Sequence, residues 1–291
     1  MNILLTGATG FIGSAVCGAL VDKGYRVTAL VRREEAADQL RSTAVEPIVG
    51  DMRDAELITS LTAKADGVIH AAATGDEQSA DADRALTDAV LARLHGGAPF
   101  VRTGGIWVHG SGEEVTEQTP RSAPTIVAWR EAIDIPALQA PGIRSVLIEP
   151  GIVYGRGQGI PNVITQTLTD GNEPAVRLVG DGTQHWGTVH VDDLANLYVL
   201  ALEAAPHGSV YLGVNGDNPT VREIGEAASE ARGLKGRVAP ESPEATLERL
   251  GALGEALLLD QQARGNAARN LGWIPDRPTL IAEIAEGSYT H

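Results

Sequence analysis

Short apolar runs alternate with longer stretches of helical periodicity along the first half of the chain. The apolar runs mostly lack polar alternation, which is typical of strands covered on both faces. Strand followed by helix, repeated, predicts parallel strands joined by helices. The predicted strands are 2–6, 26–31, 45–49, 67–71, 98–103 and 144–149. The predicted helices are 11–22, 34–41, 54–64, 77–95 and 124–140, the last one interrupted at Pro136.

After Pro150 the alternation stops, and glycine and proline become frequent, as in GRGQGIPN, DGNEP and VGDGTQ. Helical spacing returns at 191–205, 220–232, 243–251 and 278–287. We therefore predict an α/β protein with two lobes. A doubly wound parallel sheet occupies residues 1–155, with a returning segment near 187–205, and a smaller, discontinuous α+β lobe occupies residues 156–291.

Composition excludes several classes of function. The net charge of -15 argues against a nucleic-acid surface, which needs clustered Lys and Arg. Cys17 is the single cysteine, so no internal disulfide and no cysteine-based zinc site is expected. No apolar run is long enough to span a bilayer, and we expect a soluble, cytoplasmic protein with no membrane partner.

The first predicted strand runs into the turn TGATGFIG, with glycines at 7, 10 and 13, and then into a helix. A side chain at Gly7 would obstruct the turn, and one at Gly10 would hold the backbone away from a phosphate. One at Gly13 would push the helix off the sheet. Strand, glycine turn and helix together predict a dinucleotide whose pyrophosphate meets the helix N-terminus, with Thr9, Phe11 and Ile12 also in contact. A tight turn with a helix-packing glycine is the alternative.

The second predicted strand ends in Arg32 and Arg33 rather than in the acidic residue that takes the ribose 2′-hydroxyl of NAD. Two guanidinium groups at this place favour the 2′-phosphate of NADP. The alternative is that both arginines are simply solvated on the surface of an acidic protein. We expect NADP(H) to be the cofactor.

Six motifs occur in order along nearly the whole chain: TGATGFIG, GDMRD, VIHAAA, EPGIVYGRG, HVDDLANLY and LGWIP. With this set the chain resembles the extended short-chain dehydrogenase/reductase family, also called the NAD-dependent epimerase/dehydratase family. The resemblance implies a Rossmann-type cofactor lobe and a small C-terminal substrate lobe. It places Asp51 and Met52 beside the adenine, although Asp51 could equally cap the next helix. Further contacts implied along the dinucleotide are Ala71, Ala72, Ala73, Pro150, Gly151 and Val153.

The catalytic pair of that family, a tyrosine four residues before a lysine, is missing. In PTIVAWREAIDIPAL, Ile126 stands at the tyrosine position and Arg130 at the lysine position. Upstream, Gly104 and Gly105 surround the expected serine position. Isoleucine cannot exchange a proton, while Arg130 can still donate to ribose hydroxyls and is expected to contact the cofactor. The resemblance is therefore to an atypical branch of the family.

Three polar residues near the expected nicotinamide are candidates for substrate contact and proton donation. Thr103 ends the fifth strand, His109 replaces the tyrosine of the family's VYG turn, and Tyr154 lies just beyond the sixth strand. His109 near neutral pH and the phenol of Tyr154 are both capable donors. An exposed loop histidine and a structural tyrosine are the alternatives.

We expect an NADP-dependent oxidoreductase acting on a small organic carbonyl or imine, with an unusual proton donor. Two alternatives stay open: an epimerase, dehydratase or isomerase of a sugar derivative, with substrate contacts among 160–186, and a non-catalytic NADP-binding redox sensor. No histidine or carboxylate spacing predicts a metal site. A homodimer through the helices near 77–95 and 124–140 is possible, since Ala82, Leu86, Val90 and Leu94 keep helical spacing, although these residues could as well be core.

Overall fold

A computed structural model describes residues 1–166, 168–169 and 173–289. Within these residues the strands are β1 (Asn2–Thr6), β2 (Arg26–Val31), β3 (Val45–Val49), β4 (Gly67–His70), β5 (Pro99–Thr103), β6 (Gly112–Val115), β7 (Arg144–Pro150), β8 (Ile152–Gly155), β9 (Gln158–Gly159), β10 (Val176–Arg177), β11 (Thr188–His190), β12 (Ser209–Gly213), β13 (Val238–Ala239) and β14 (Gln261–Ala263).

The helices within the same residues are α1 (Phe11–Asp22), α2 (Glu34–Leu40), α3 (Ala55–Thr62), α4 (Ser79–Leu91), α5 (Glu131–Leu138), α6 (Asn162–Thr165), α7 (Val191–Ala204), α8 (Val221–Ala231), α9 (Pro243–Leu250), α10 (Ala252–Leu257), α11 (Asn266–Asn270) and α12 (Leu280–Glu286). Two 3₁₀ helices, Ile106–His109 and Thr125–Arg130, precede and follow β6.

A seven-stranded sheet organises the first lobe, with the order β12-β7-β5-β4-β1-β2-β3 and every neighbouring pair parallel. The predicted doubly wound α/β fold is confirmed. Successive side chains of β1 point to opposite faces. Ile3 and Leu5 join the core that contains α1 and α7, whereas Leu4 joins the core that contains α3 and α4. The sheet is therefore buried on both faces, which explains its continuous apolar strands.

The seventh strand, β12, was not predicted. It pairs with β7 and extends the sheet, so residues 209–213 lie in the sheet and not in the small lobe to which the sequence assigned them. The chain returns to this lobe a second time near its end. Ala268 and Trp273 are buried in the α1 and α7 core, and the Trp273 indole donates a hydrogen bond to the carbonyl oxygen of Asp193 at 2.8 Å.

The predicted helix 124–140 is two different elements. Residues Thr125–Arg130 form a 3₁₀ helix, and only Glu131–Leu138 form an α-helix, which contains Pro136. A 3₁₀ helix has about three residues per turn, so residues four apart do not share a face as they do in an α-helix. Ile126 and Arg130 therefore lack the relative placement of the family's tyrosine and lysine.

The small lobe has its own apolar core, which includes Ile152, Ile164, Trp186, Ile224 and Leu280. The segment 160–186, expected to touch a substrate, contributes to this core. Residue 167 and residues 170–172 of that segment, including part of DGNEP, lie outside the described residues.

Ala82, Leu86, Val90 and Leu94, whose spacing allowed a dimer face, are at most 7% exposed, and the last three belong to the core between α4 and the sheet. They give no support to a homodimer, which stays a prediction. No helix within the described part of the chain is both long and apolar enough to cross a membrane.

Candidate functional site

The glycine turn connects β1 to α1 at the carboxyl edge of the sheet. Gly7 has a φ of +81°, which favours glycine, and a Cβ at this position would lie 2.7 Å from the carbonyl oxygen of Ala71. A Cβ on Gly13 would lie 2.0 Å from the carbonyl oxygen of Gly7. Both glycines are thus required by contacts within the chain itself, between the turn, the first helix and the segment after β4.

Gly10 differs from its two neighbours. It has an ordinary φ of -81°, and its Cβ would meet only the carbonyl oxygen of Gly7, at 3.3 Å. It is the N-cap of α1, and no side chain caps this helix or places an acid in its first turn. The chain leaves room above Gly10 and leaves the helix N-terminus uncapped, which is how a site for a phosphate is built. The cradle therefore fits a dinucleotide.

The other predicted contacts surround this cradle. Thr9 is exposed, and Phe11 and Ile12 are half-buried against the core of α1. Ala71 and Ala72 back the turn directly, and the Ala72 amide donates to the Thr6 hydroxyl at 3.4 Å, while Ala73 is exposed.

Pro150, Gly151 and Val153 form the passage from β7 to β8. A Cβ on Gly151 would lie 2.2 Å from the carbonyl oxygen of Gly187, so packing within the chain already requires glycine there. Pro150 and Val153 are buried, which leaves Gly151 as the half-buried residue of the three.

Positive charge gathers where β2 ends. Arg32 and Arg33 are both exposed, and Arg33 is the N-cap of α2. Neither side chain has a hydrogen-bond or ion-pair partner among the described residues. Both guanidinium groups therefore remain available to an anion at the edge of the cradle.

Asp51 follows β3, next to this positive charge, and its carboxylate is held by Arg53 through two hydrogen bonds, from Nη2 at 2.6 Å and from Nε at 3.0 Å. These bonds lower the pKa of Asp51 to about 2, with a smaller contribution from the charge of Arg32. Met52 is half-buried and packs against the core of α3 and α4.

The hydroxyl of Thr103 lies at the end of β5 and is already engaged. It donates to the carbonyl oxygen of His70 at 2.7 Å and lies 2.6 Å from the hydroxyl of Tyr198. With its proton given to His70, Thr103 accepts the proton of Tyr198 and retains one acceptor position. Tyr198 is fully buried, and burial raises its pKa. Thr103 can therefore accept from a substrate rather than donate to it in this arrangement.

Arg130 reaches the same strand end. Its Nη1 donates to the carbonyl oxygen of Thr103 at 3.0 Å, and its guanidinium lies 4.7 Å from the ring centre of Trp129. Its buried Nε has no acceptor among the described residues. An unmatched buried donor beside the strand end fits a ligand oxygen, in keeping with the predicted cofactor contact.

The positions that the sequence predicts for the family's catalytic residues hold no side chain that exchanges a proton near neutral pH. Ile126 is 36% exposed, and a Cβ on Gly105 would meet nothing within 4 Å. A Cβ on Gly104 would lie 3.0 Å from Glu149 Cγ, so of these two glycines only Gly105 has open space where a serine side chain would stand.

His109 is only 4% exposed, and both ring nitrogens are engaged inside the protein. Nδ1 faces the carbonyl oxygen of Thr119 at 2.9 Å, and Nε2 faces the Glu149 carboxylate at 2.8 Å. Both partners are oxygen acceptors, so the geometry suits a ring that donates from both nitrogens. Burial lowers the pKa of His109, but the hydrogen bond and charge of Glu149 outweigh burial and raise it overall. The predicted substrate contact through His109 disagrees with this geometry, because neither nitrogen is free.

We expect the stability of the protein to report this protonation. A raised pKa in the folded state means that the contribution of His109 is complete below its ordinary value of 6.5 and is lost as pH rises through the folded pKa. The difference in unfolding free energy between wild type and His109→Gln should therefore shrink from pH 6 to pH 9 in urea titrations. A difference that stays constant over this range would contradict the doubly protonated ring.

Tyr154 is fully buried in the core of the small lobe. Its hydroxyl donates to the carbonyl oxygen of Pro278 at 2.7 Å and accepts from Asn215 Nδ2 at 3.1 Å, and burial raises its pKa. A phenol with no exposed surface and two internal partners has a structural role. The geometry corrects the expectation that Tyr154 meets the substrate.

A profile of the NAD dependent epimerase/dehydratase family matches residues 3–95 and 132–212 of this chain. "Uncharacterized protein C2A9.02" of Schizosaccharomyces pombe is 31% identical over 299 residues, which cover 99% of this chain and 100% of that protein. The chain belongs to the NAD dependent epimerase/dehydratase family.

Two further members of wide coverage indicate the range of the family. The 4-hydroxy-2-methyl-3-oxo-4-farnesyl-3,4-dihydroquinoline-1-oxide ketoreductase of Stigmatella aurantiaca is 29% identical, over 97% of this chain and 88% of that protein. The structure of human epimerase family protein SDR39U1 with NADPH superposes with a TM-score of 0.75 at 21% identity, over 99% of each chain. The first relative is a reductase by name, and the second shares the fold.

The two stretches that match the family leave out residues 96–131. That interval holds Thr103, Gly105, His109, Ile126 and Arg130.

Sequence reasoning missed a buried ionic cluster under the carboxyl edge of the sheet. Arg102 Nη2 donates to Asp83 at 2.7 Å and to Asp134 at 2.9 Å, and Asp83 also contacts His70 at 3.2 Å. Burial raises the pKa of Asp83, but His70 and Arg102 outweigh it and lower the pKa overall, whereas for Asp134 burial prevails and the pKa is raised. The one available signal was a charged residue inside the apolar strand PFVRT.

The described residues contain no group of three or more histidine, cysteine or carboxylate side chains that could hold a metal ion.

Proposed function

We propose that this protein is an NADP(H)-dependent oxidoreductase that transfers a hydride to or from a small organic carbonyl or imine, with a proton source other than the family's tyrosine. The observation that carries the cofactor assignment is the pair of exposed, unpartnered guanidinium groups of Arg32 and Arg33 beside the Gly10 cradle. The family supplies the nicotinamide dinucleotide, and the two arginines favour the form with a 2′-phosphate. The NADPH named with the human family member agrees with this proposal.

The residues around the cradle would each contact a different part of the dinucleotide. The N-terminus of α1 at Gly10 would hold the pyrophosphate, Asp51 and Met52 would flank the adenine, and Arg130 would donate to ribose hydroxyls. When bound, NADP(H) supplies the redox equivalent as hydride. What the chain must add is placement of the acceptor, exclusion of water and a proton where the product needs one.

Proton supply is the unusual part. Thr103 can only accept a hydrogen bond from a substrate, and His109 and Tyr154 are hydrogen-bonded to partners inside the protein. Ile126 has no exchangeable side-chain proton. We infer that the proton comes from water or from the substrate itself. General acid help is typically worth about 10²- to 10⁴-fold, so unactivated ketones would turn over slowly. An iminium or another acceptor that already carries its proton would lose nothing. The ketoreductase named among the relatives supports a carbonyl substrate.

Consumption of NADPH tests the function directly. The purified protein is mixed with NADPH and with a panel of ketones, cyclic imines and enones, and absorbance at the nicotinamide band is followed. We expect turnover that is faster for the protonated imines than for simple ketones. Binding of NADPH without turnover of any acceptor would favour the redox sensor, and a cofactor that returns unchanged while a sugar derivative is isomerised would favour the epimerase alternative.

The 2′-phosphate assignment has its own test. We expect the double variant Arg32→Ala, Arg33→Ala to bind NADPH about 10- to 100-fold more weakly than wild type, and NADH less than about threefold more weakly. The reason is that charge-assisted hydrogen bonds to a phosphate are worth roughly 1.5–3 kcal/mol. Isothermal titration calorimetry with each nucleotide measures the two affinities. If both nucleotides weaken by the same factor, the arginines do not read the 2′-phosphate.

A further inference from the structure

Arg53 joins two loops at the edge of the cradle. Nη2 and Nε donate to the two carboxylate oxygens of Asp51, and Nη1 donates to Gln78 Oε1 at 2.5 Å. The backbone amide of Arg53 also donates to Asp51, at 2.8 Å. We call this arrangement of Asp51, Arg53 and Gln78 the Arg53 bridge. It connects the loop after β3 with the loop that leads from β4 into α4.

The bridge engages most of the hydrogen-bond donors of Arg53 within the protein. Three of its five side-chain N–H donors point at Asp51 and Gln78, in a planar fork that matches a carboxylate. Two of its N–H donors remain, but its charge is balanced by Asp51, so Arg53 is a weaker partner for a 2′-phosphate than Arg32 and Arg33, which have no ion-pair partner among the described residues. The work of reading a phosphate is left to Arg32 and Arg33.

Without Arg53, the charge of Asp51 would oppose binding of a 2′-phosphate by Arg32 and Arg33. An aspartate has an ordinary pKa of about 3.9, so Asp51 would be ionised at physiological pH even without Arg53. The charge of Arg32 already acts on it. An unpaired carboxylate so placed has two effects on a 2′-phosphate: it repels the phosphate, and it competes for Arg32 as an ion-pair partner. Neither effect touches NADH, which lacks the 2′-phosphate.

We propose that Arg53 is a specificity-determining residue of the nucleotide site, which neutralises Asp51 and so keeps Arg32 free for the 2′-phosphate of NADP(H). The inference rests on the proposed NADP(H) function and deepens it. Arg53 acts through Asp51 and Arg32 without touching the phosphate. Its removal is therefore harmful only while Asp51 carries its charge.

A double-mutant cycle tests this dependence. Dissociation constants for NADPH and NADH are measured by calorimetry for wild type, Arg53→Ala, Asp51→Asn and the double variant. We expect Arg53→Ala to lower the preference for NADPH over NADH by about three- to tenfold, as for a partly exposed charge. We expect the double variant to regain the wild-type preference, because the asparagine no longer repels the phosphate or attracts Arg32.

The matched control is Arg93→Ala, which removes an exposed arginine after the far end of α4 and should leave the preference unchanged. The effect of Arg53→Ala should also weaken in high salt, since it is electrostatic. An unchanged preference in Arg53→Ala overturns the inference, and so does a double variant that is no better than Arg53→Ala. A wild-type protein without preference for NADPH overturns the proposed cofactor as well, so the two failures are distinguishable.

Discussion

Replacing Gly10 by alanine is expected to lower the affinity for both NADPH and NADH by about 100-fold or more while leaving the fold almost intact. A methyl group at Gly10 meets only one atom of the protein, at 3.3 Å, and its φ suits any residue. The same methyl group stands where a pyrophosphate must approach the uncapped helix, and the loss of two charge-assisted hydrogen bonds accounts for the factor. Calorimetry with both nucleotides measures the loss, and the unfolding free energy should change by less than about 1 kcal/mol.

Gly13→Ala is the matched comparison. Alanine gains about 1 kcal/mol of helix propensity over glycine, but its Cβ would lie 2.0 Å from the Gly7 carbonyl oxygen, and overpacking of this kind costs about 3 kcal/mol. Destabilisation therefore wins, and urea unfolding should show a net loss of roughly 2 kcal/mol. If Gly10→Ala and Gly13→Ala lose stability equally, or if Gly10→Ala binds nucleotides normally, the space above Gly10 does not serve a ligand.

Most strands of the sheet were predictable from the sequence because each one is a continuous apolar run. A strand buried on both faces must be apolar throughout, and β1, β2 and β3 have the predicted bounds without change. β12 was missed because Ser209 and Gly213 frame only three apolar residues, a run too short to distinguish from a loop. It becomes a strand because β7 offers it an unpaired edge, and pairing of that kind leaves no local pattern.

The glycine turn was predictable for a related reason. Gly7 and Gly13 are dictated by contacts within a few residues of the same turn or by the adjacent strand, so the pattern is visible in the sequence. The partners of His109 and Tyr154 could not be foreseen, because Glu149 and Pro278 come from distant parts of the chain. A polar residue in a family motif position looks the same in sequence whether it faces a ligand or a buried carboxylate.

The 3₁₀ conformation of Thr125–Arg130 could also not be predicted from the sequence. Pro124 precedes this segment and Pro136 lies within α5, yet helical periodicity does not distinguish the two helix types over six residues. The consequence is chemical. Restoring a tyrosine at Ile126 and a lysine at Arg130 would not by itself restore the family's pair, because the two side chains would leave different faces of the helix.

Arg102→Met is expected to destabilise the protein by about 3–5 kcal/mol, the largest effect on stability among these predictions. Arg102 is 1% exposed and holds both Asp83 and Asp134. Its loss leaves Asp83 with only His70 at 3.2 Å and Asp134 with only Arg121 at 3.8 Å as basic partners among the described residues. Methionine fills a similar volume, which removes cavity formation as the main cause. Unfolding in urea at pH 7 measures the loss.

The pH dependence of the Arg102→Met variant identifies the cause. An unpaired buried aspartate has a folded-state pKa above its unfolded value, so it contributes instability at high pH that is relieved as protonation occurs. The stability of Arg102→Met relative to wild type should therefore recover between pH 7 and pH 5. Adding Asp83→Asn and Asp134→Asn removes the stranded charges and should restore part of the loss at pH 7. A deficit that is the same at both pH values and unaffected by the asparagines would assign the effect to packing, and would show that charge balance under the carboxyl edge contributes little to the fold.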